Sequence, residues 1–123
     1  MALALEGYLA MQSGDLDRAS ASLAESLIGY QAAGDLVGVA QVHHTQGSVA
    51  VRRADLPAAQ SCFDEVLSIA DSTGDHGLAV YALLSLIPVL LDQGETAAAR
   101  DRWQQARQRT RTRELAVLNL AGQ

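Results

Sequence analysis

Three segments of this sequence align without gaps at a spacing of 40 residues, and that self-similarity restricts the chain more than any other feature. Gly14-Asp15-Leu16-Asp17-Arg18-Ala19 is matched by Ala54-Asp55-Leu56-Pro57-Ala58-Ala59 and by Gly94-Glu95-Thr96-Ala97-Ala98-Ala99. Downstream, Leu23, Phe63 and Trp103 share one position. Ala33-Gly34-Asp35 matches Thr73-Gly74-Asp75, and the third copy has Arg113-Glu114 where the Gly-Asp would fall. Upstream, Gly7 matches Gly47, with Ile87 in the third copy. A unit repeated this way cannot bury its apolar face alone. Stacked neighbours supply the core, and about three copies are the practical minimum.

The unit is helical. Hydrophobic residues make up 49% of the chain, mostly Ala, Leu and Val, and only five residues are aromatic. Ala and Leu favour helices, and strand formers are few. Leu16, Ala19, Leu23 and Leu27 recur at helical spacing, as do Leu56, Ala59, Phe63 and Leu67. Each Gly-Asp or Ala-Asp pair marks a tight turn. The first residue takes the left-handed position that ends one helix, and the Asp caps the next. Pro57 sits in a first helical turn, where its missing N–H costs nothing. The small residue at Ala19, Ala59 and Ala99 lets two helices approach, and the large residue four positions on fills the gap. The predicted helices are 2–13, 16–33, 36–53, 56–73, 76–93 and 96–112, with a seventh beginning near 114. The expected fold is all-α: three stacked antiparallel hairpins in one domain, 1–123, with copies at about 1–34, 35–74 and 75–113 and a partial helix over 114–121.

The spacing from Gly7 to Gly14 to Ala19 to Leu23, repeated as Gly47, Ala54, Ala59 and Phe63, resembles the tetratricopeptide pattern. In that pattern a small residue of the first helix meets a small residue of the second. The resemblance covers essentially the whole chain, although the period of 40 exceeds the usual 34 of that family. Leu3, His43 and Leu83 stand where a Trp is usual, and Gln31, Asp71 and Arg111 where a Pro is usual. Extended copies of this style are similar to the helical-repeat regions of large bacterial regulators, such as ATP-binding LuxR-type activators and related multidomain ATPases. The resemblance implies a right-handed solenoid whose first helices line a concave, ligand-binding groove.

Charge is unevenly spread. Residues 1–99 carry twelve acids against three arginines, a balance of −9, whereas residues 100–123 carry six arginines against two acids, +4. An acidic body repels a nucleic-acid duplex, so no direct nucleic-acid binding is expected. Cys62 is the single cysteine, which excludes an internal disulfide and fits a reducing compartment. The N-terminus has no basic segment followed by an apolar core, so no secretory signal is expected. The most apolar stretch, Leu78 to Leu91, is too short for a bilayer and is broken by Pro88. A soluble, cytoplasmic protein without membrane contact is expected.

Catalytic chemistry finds no foothold in the spacing. His43 and His44 point about 100° apart on a helix and cannot chelate one ion together. No carboxylate or Cys follows either at helical spacing, so neither these nor His76 is read as a metal ligand. Cys62 has no basic neighbour in sequence to activate it. There is no phosphate-binding glycine loop and no carboxylate pair poised for acid–base work. No enzyme activity, cofactor or metal is expected.

The groove remains. Register places Tyr8 and Gln12, with Ala4 and Met11, on its first copy. It places Gln41, His44, Ser48 and Arg52 on the second, and Tyr81, Leu84, Pro88 and Leu91, with Asp92, on the third. The second copy is polar and suits a carboxylate or a peptide backbone. The third is apolar and suits a hydrophobic partner or burial. The expected function is that of a non-catalytic protein- or peptide-binding scaffold, the interaction or effector-sensing segment of a larger bacterial transcriptional regulator or signalling ATPase. A free-standing adaptor that assembles a complex is the alternative. By register Met1 corresponds to Gln41, and the 115–120 segment opens a new apolar helix, so an excerpt of a longer protein is expected. Homodimerisation through the apolar third copy and the C-terminal helix is a further expectation.

Overall fold

The computed structural model describes residues 5–7, 9 and 14–121. Residues 5–7 and 9 are helical, and five helices follow: α1 (Leu16–Ala33), α2 (Leu36–Arg52), α3 (Leu56–Thr73), α4 (His76–Asp92) and α5 (Thr96–Ala121). No strand occurs among the described residues. Each helix packs against its neighbours in the chain, the arrangement of an all-α helical repeat.

The turns work as their chemistry requires. Gly34 (φ 68°) and Gly74 (φ 70°) are left-handed, and so is Ala54 (φ 58°), a residue with a Cβ in a position that favours glycine. The following Asp amide donates back to the carbonyl five residues earlier, Asp35 to Tyr30 at 3.0 Å and Asp55 to Ala50 at 2.9 Å. The Asp side chain then caps the next helix. Asp15, Asp35, Asp55 and Asp75 accept from the amides of Arg18, Gly38, Ala58 and Leu78 at 3.0 to 3.3 Å.

Between the turns the core forms in two connected stretches. Ala19, Leu23 and Tyr30 of α1 pack with Val39, Val42 and Val49 of α2. Ala59, Phe63, Val66 and Ala70 of α3 pack with Ala79, Ala82, Leu86 and Val89 of α4, and Ala99 and Ala106 of α5 complete that cluster. Fully buried Leu83 and Leu86 each contribute about 2 kcal/mol of hydrophobic stabilisation. Size is traded between copies. Tyr30 lies against Gly38, and forty residues on the small residue is Ala70 and the large one Leu78.

The third copy departs from the expected pattern twice. Gly7 and Gly47 leave room for Leu23 and Phe63, which are buried. Ile87 occupies the equivalent place itself, and Trp103, expected to fill the gap, is 49% exposed. The expected boundary near 114 is also absent, since α5 runs unbroken to Ala121. Arg113-Glu114 offers neither a glycine for the left-handed position nor an Asp cap, and both residues are good helix formers. Pro88 lies inside α4 without ending it.

Candidate functional site

Helices α2 and α4, expected to line the groove, meet through one junction centred on His44. Its ring stacks on Tyr81 at 4.4 Å between centroids and 26° between planes, and meets Phe63 at 5.2 Å. Its Nε2 is 3.1 Å from the Ser85 hydroxyl. Ser85 donates its one proton to the Tyr81 carbonyl at 2.9 Å, so we assign the proton of this contact to Nε2. Burial disfavours the imidazolium and holds the pKa of His44 below its ordinary value. His44 is therefore a neutral, half-buried joint between the second and third copies, and its stacked face is not open to a ligand.

Beside this joint a cleft of about 310 Å³ opens between α2, α3 and α4. Ser48, Arg52, Ser85 and Asp92 give it polar walls, and Val51, Leu56, Phe63 and Val89 an apolar floor, with Pro88 at its edge. Ser48 donates its hydroxyl to the His44 carbonyl at 3.2 Å. Proline has no N–H, so position 88 donates no helical bond to the Leu84 carbonyl.

The groove residues named from sequence separate into groups. Ser48, Arg52 and Pro88 come together in the cleft, with Asp92. Tyr81, Leu84, Pro88 and Leu91 form an exposed stripe along one face of α4, Tyr81 being 54% exposed. Leu84 also borders a second cavity, formed with Trp103. Gln41 is exposed and lies outside the cleft. Tyr8 and Gln12, with Ala4 and Met11, lie outside the described residues. Register reading missed Ser85, Val51 and the floor supplied by α3. Ser85 was within reach, because it stands one residue past Leu84 at the turn of the helix that meets His44.

Several other titratable groups are paired or packed. His43 Nδ1 lies 3.1 Å from the Gln46 carboxamide oxygen. Arg109 reaches Asp71 at 2.6 Å and lies 3.4 Å from His76 Nδ1, and Arg102 stands 3.8 Å from Asp64. Burial raises the pKa of Asp64, with Arg102 opposing that shift. Burial also pushes up the Cys62 thiol, assisted by Glu65 and Asp55. Among the described residues no three His, Cys, Asp or Glu side chains come together as a metal site, and no helix is long and apolar enough to cross a membrane.

No protein-family model, curated protein or solved structure matches the chain.

Proposed function

We propose that this chain is a non-catalytic scaffold of the tetratricopeptide kind that binds a protein segment along α2 and α4, as the interaction or effector-sensing part of a larger bacterial regulator. The observation that carries the reading is the exposed stripe of Tyr81, Leu84, Pro88 and Leu91 beside the polar cleft. An apolar row flanked by hydroxyls and opposite charges matches an extended peptide. Apolar side chains lie on the row, and backbone groups meet Ser48 and Ser85. The neutral His44 joint supports this reading by fixing the two helices in one relative position before a partner arrives, which lowers the ordering cost of binding.

Selection of displayed random linear peptides against the chain tests it. Recovered peptides are expected to lose at least about tenfold in affinity, roughly 1.4 kcal/mol, when Ser48→Trp fills the cleft or Tyr81→Ala shortens the stripe. Failure to recover binders, or binding indifferent to both substitutions, would sink the reading. The sequence on either side of the gene region decides the regulator part of the proposal, through the presence of an ATPase or DNA-binding domain in the same chain.

A further inference from the structure

The cleft formed by α2, α3 and α4 sorts its hydrogen-bonding groups by type. Ser48 gives its proton to the His44 carbonyl at 3.2 Å, and Ser85 gives its own to the Tyr81 carbonyl at 2.9 Å. A hydroxyl has one proton and two acceptor lone pairs, so both oxygens offer only acceptors to whatever enters. Ser85 keeps one lone pair after receiving the His44 Nε2 proton. Asp92 adds a carboxylate to this acceptor set. Arg52 lines the same cleft with donors only. Its guanidinium carries five N–H groups, so it can hold a carboxylate beside the contact it already makes.

The two charges hold equivalent places in the repeat, since Arg52 is the last residue of α2 and Asp92 the last of α4. A cation suits a helix C-terminus, where the macrodipole is negative, and an anion does not. Arg52 therefore has the sign its helix favours, and Asp92 has the wrong one. Helix stability does not account for an acid at this place, and a positive group lying against it would relieve the mismatch. Between the charges runs the apolar floor of Val51, Leu56, Phe63 and Val89. The volume of about 310 Å³ stands at the small end of ligand pockets, roughly 300–1,000 Å³, and suits a molecule the size of one residue.

We propose that the cleft binds a free α-amino acid with an apolar side chain. The carboxylate of the ligand lies on Arg52, its ammonium on Asp92 and the Ser48 and Ser85 oxygens, and its side chain on the floor. A simple cation is repelled by Arg52 and a simple anion by Asp92, whereas the zwitterion answers both and brings no net charge. The end of a peptide carries only one of the two charges, and an internal residue carries neither. The proposal rests on the effector-sensing part of the reading above. The amino acid occupies the serine acceptors that the backbone of a bound partner would use, so ligand and partner compete and the ligand releases the partner.

Isothermal titration calorimetry of the unaltered chain with L-valine, L-leucine and L-methionine tests the proposal. Saturable 1:1 binding of at least one is expected. Its N-acetyl form, its amide and glycine are each expected to bind at least tenfold more weakly, because each lacks one of the three groups. Arg52→Gln and Asp92→Asn alter exposed side chains and are each expected to weaken binding at least tenfold. The ligand series needs no variant, so a substitution that unfolds the chain leaves the test standing. No binding of any of the three at millimolar concentration, or blocked forms that bind as well as the free amino acid, would overturn it. Peptides selected against the chain are titrated on the same samples. Peptide binding without amino-acid binding overturns this inference and leaves the scaffold reading in place, and the reverse result does the opposite. Where both bind, saturating amino acid is expected to weaken the peptide at least tenfold, and a peptide indifferent to it overturns the competition.

Discussion

Gly47 lies beneath the ring of Phe63 so closely that a Cβ added to it would stand 2.6 Å from the ring's Cε1. The two residues belong to opposite helices of one hairpin, and the ring is fully packed behind them. Gly47→Ala is therefore expected to destabilise by about 1–3 kcal/mol through overpacking, even though alanine is the better helix former. Gly29 is the control. It sits in the interior of α1 with nothing within 4 Å of an added Cβ. There Gly29→Ala is expected to stabilise by roughly 0.5–1 kcal/mol. Urea denaturation of both variants gives opposite signs if packing, and not propensity, decides position 47.

Ala54 holds the left-handed turn position that Gly14 and Gly94 occupy in the other copies. A Cβ in that conformation costs about 1–2 kcal/mol, part of which glycine gives back through a more flexible unfolded chain. Ala54→Gly is expected to raise stability by roughly 0.5–1 kcal/mol, and Gly94→Ala to lower it by a similar amount. Thermal melts of the two variants and their double mutant check this. A loss of stability in Ala54→Gly would mean that the turn is not strained.

These turns explain why so much of the fold was readable. The expected helices 16–33 and 56–73 match α1 and α3 residue for residue, because Gly-Asp and Ala-Asp chemistry is decided by adjacent residues. The site was less legible because its contacts join distant parts of the chain. His44 and Ser85 are 41 residues apart, and only packing of α4 on the second hairpin turns a groove histidine into a joint. Trp103 was misplaced for a related reason. Its position in the register matched Phe63, but the loss of the facing glycine at Ile87 governs whether a ring can enter.

The His44 joint makes stability depend on pH. Burial holds its folded pKa below the ordinary value of 6.5, so the unfolded chain takes up the proton first as pH falls. The sign is thus fixed. His44 has no effect well above 6.5, and stability is lost as pH drops from there through the lower folded value. His44→Phe keeps the stacking with Tyr81 and gives up the Ser85 contact. It is expected to be less sensitive to mild acid than the unaltered chain, as read from melting temperatures between neutral and mildly acidic buffer. Equal acid sensitivity in both would remove His44 from the account.

Cys62 is half-buried on α3, and its thiol is held above the usual range by burial, then by Glu65 and Asp55. The reactive form is the thiolate, so thiol–disulfide exchange at neutral pH is expected to be at least about tenfold slower than that of a free thiol such as glutathione. Reaction with a chromogenic disulfide reagent measures it. Replacing Glu65 by Gln relieves part of the effect and is expected to quicken the reaction. A thiol that reacts as fast as glutathione would contradict the packing around α3.

The continuous α5 poses the sharpest question about turn chemistry. At every earlier boundary a residue in the left-handed region precedes an acid, and at Asp15, Asp35, Asp55 and Asp75 that acid caps the next helix, whereas at 113–114 the pair is Arg-Glu and the helix continues. If those two residues alone decide the outcome, Arg113→Gly/Glu114→Asp should end α5 near 112. Glycine costs about 1 kcal/mol in a helix interior relative to alanine, and the new Asp favours a fresh N-terminus by a similar amount. The segment beyond is too short to hold a helix without tertiary support, so it is expected to lose helical structure when cut off. Far-UV circular dichroism should show the drop, and amide exchange should quicken over 114–121 and stay slow over Ala99 to Ala106. Unchanged helicity would show that helix propensity in the arginine-rich stretch, and not the missing turn pair, carries α5 past the boundary the repeat sets for it.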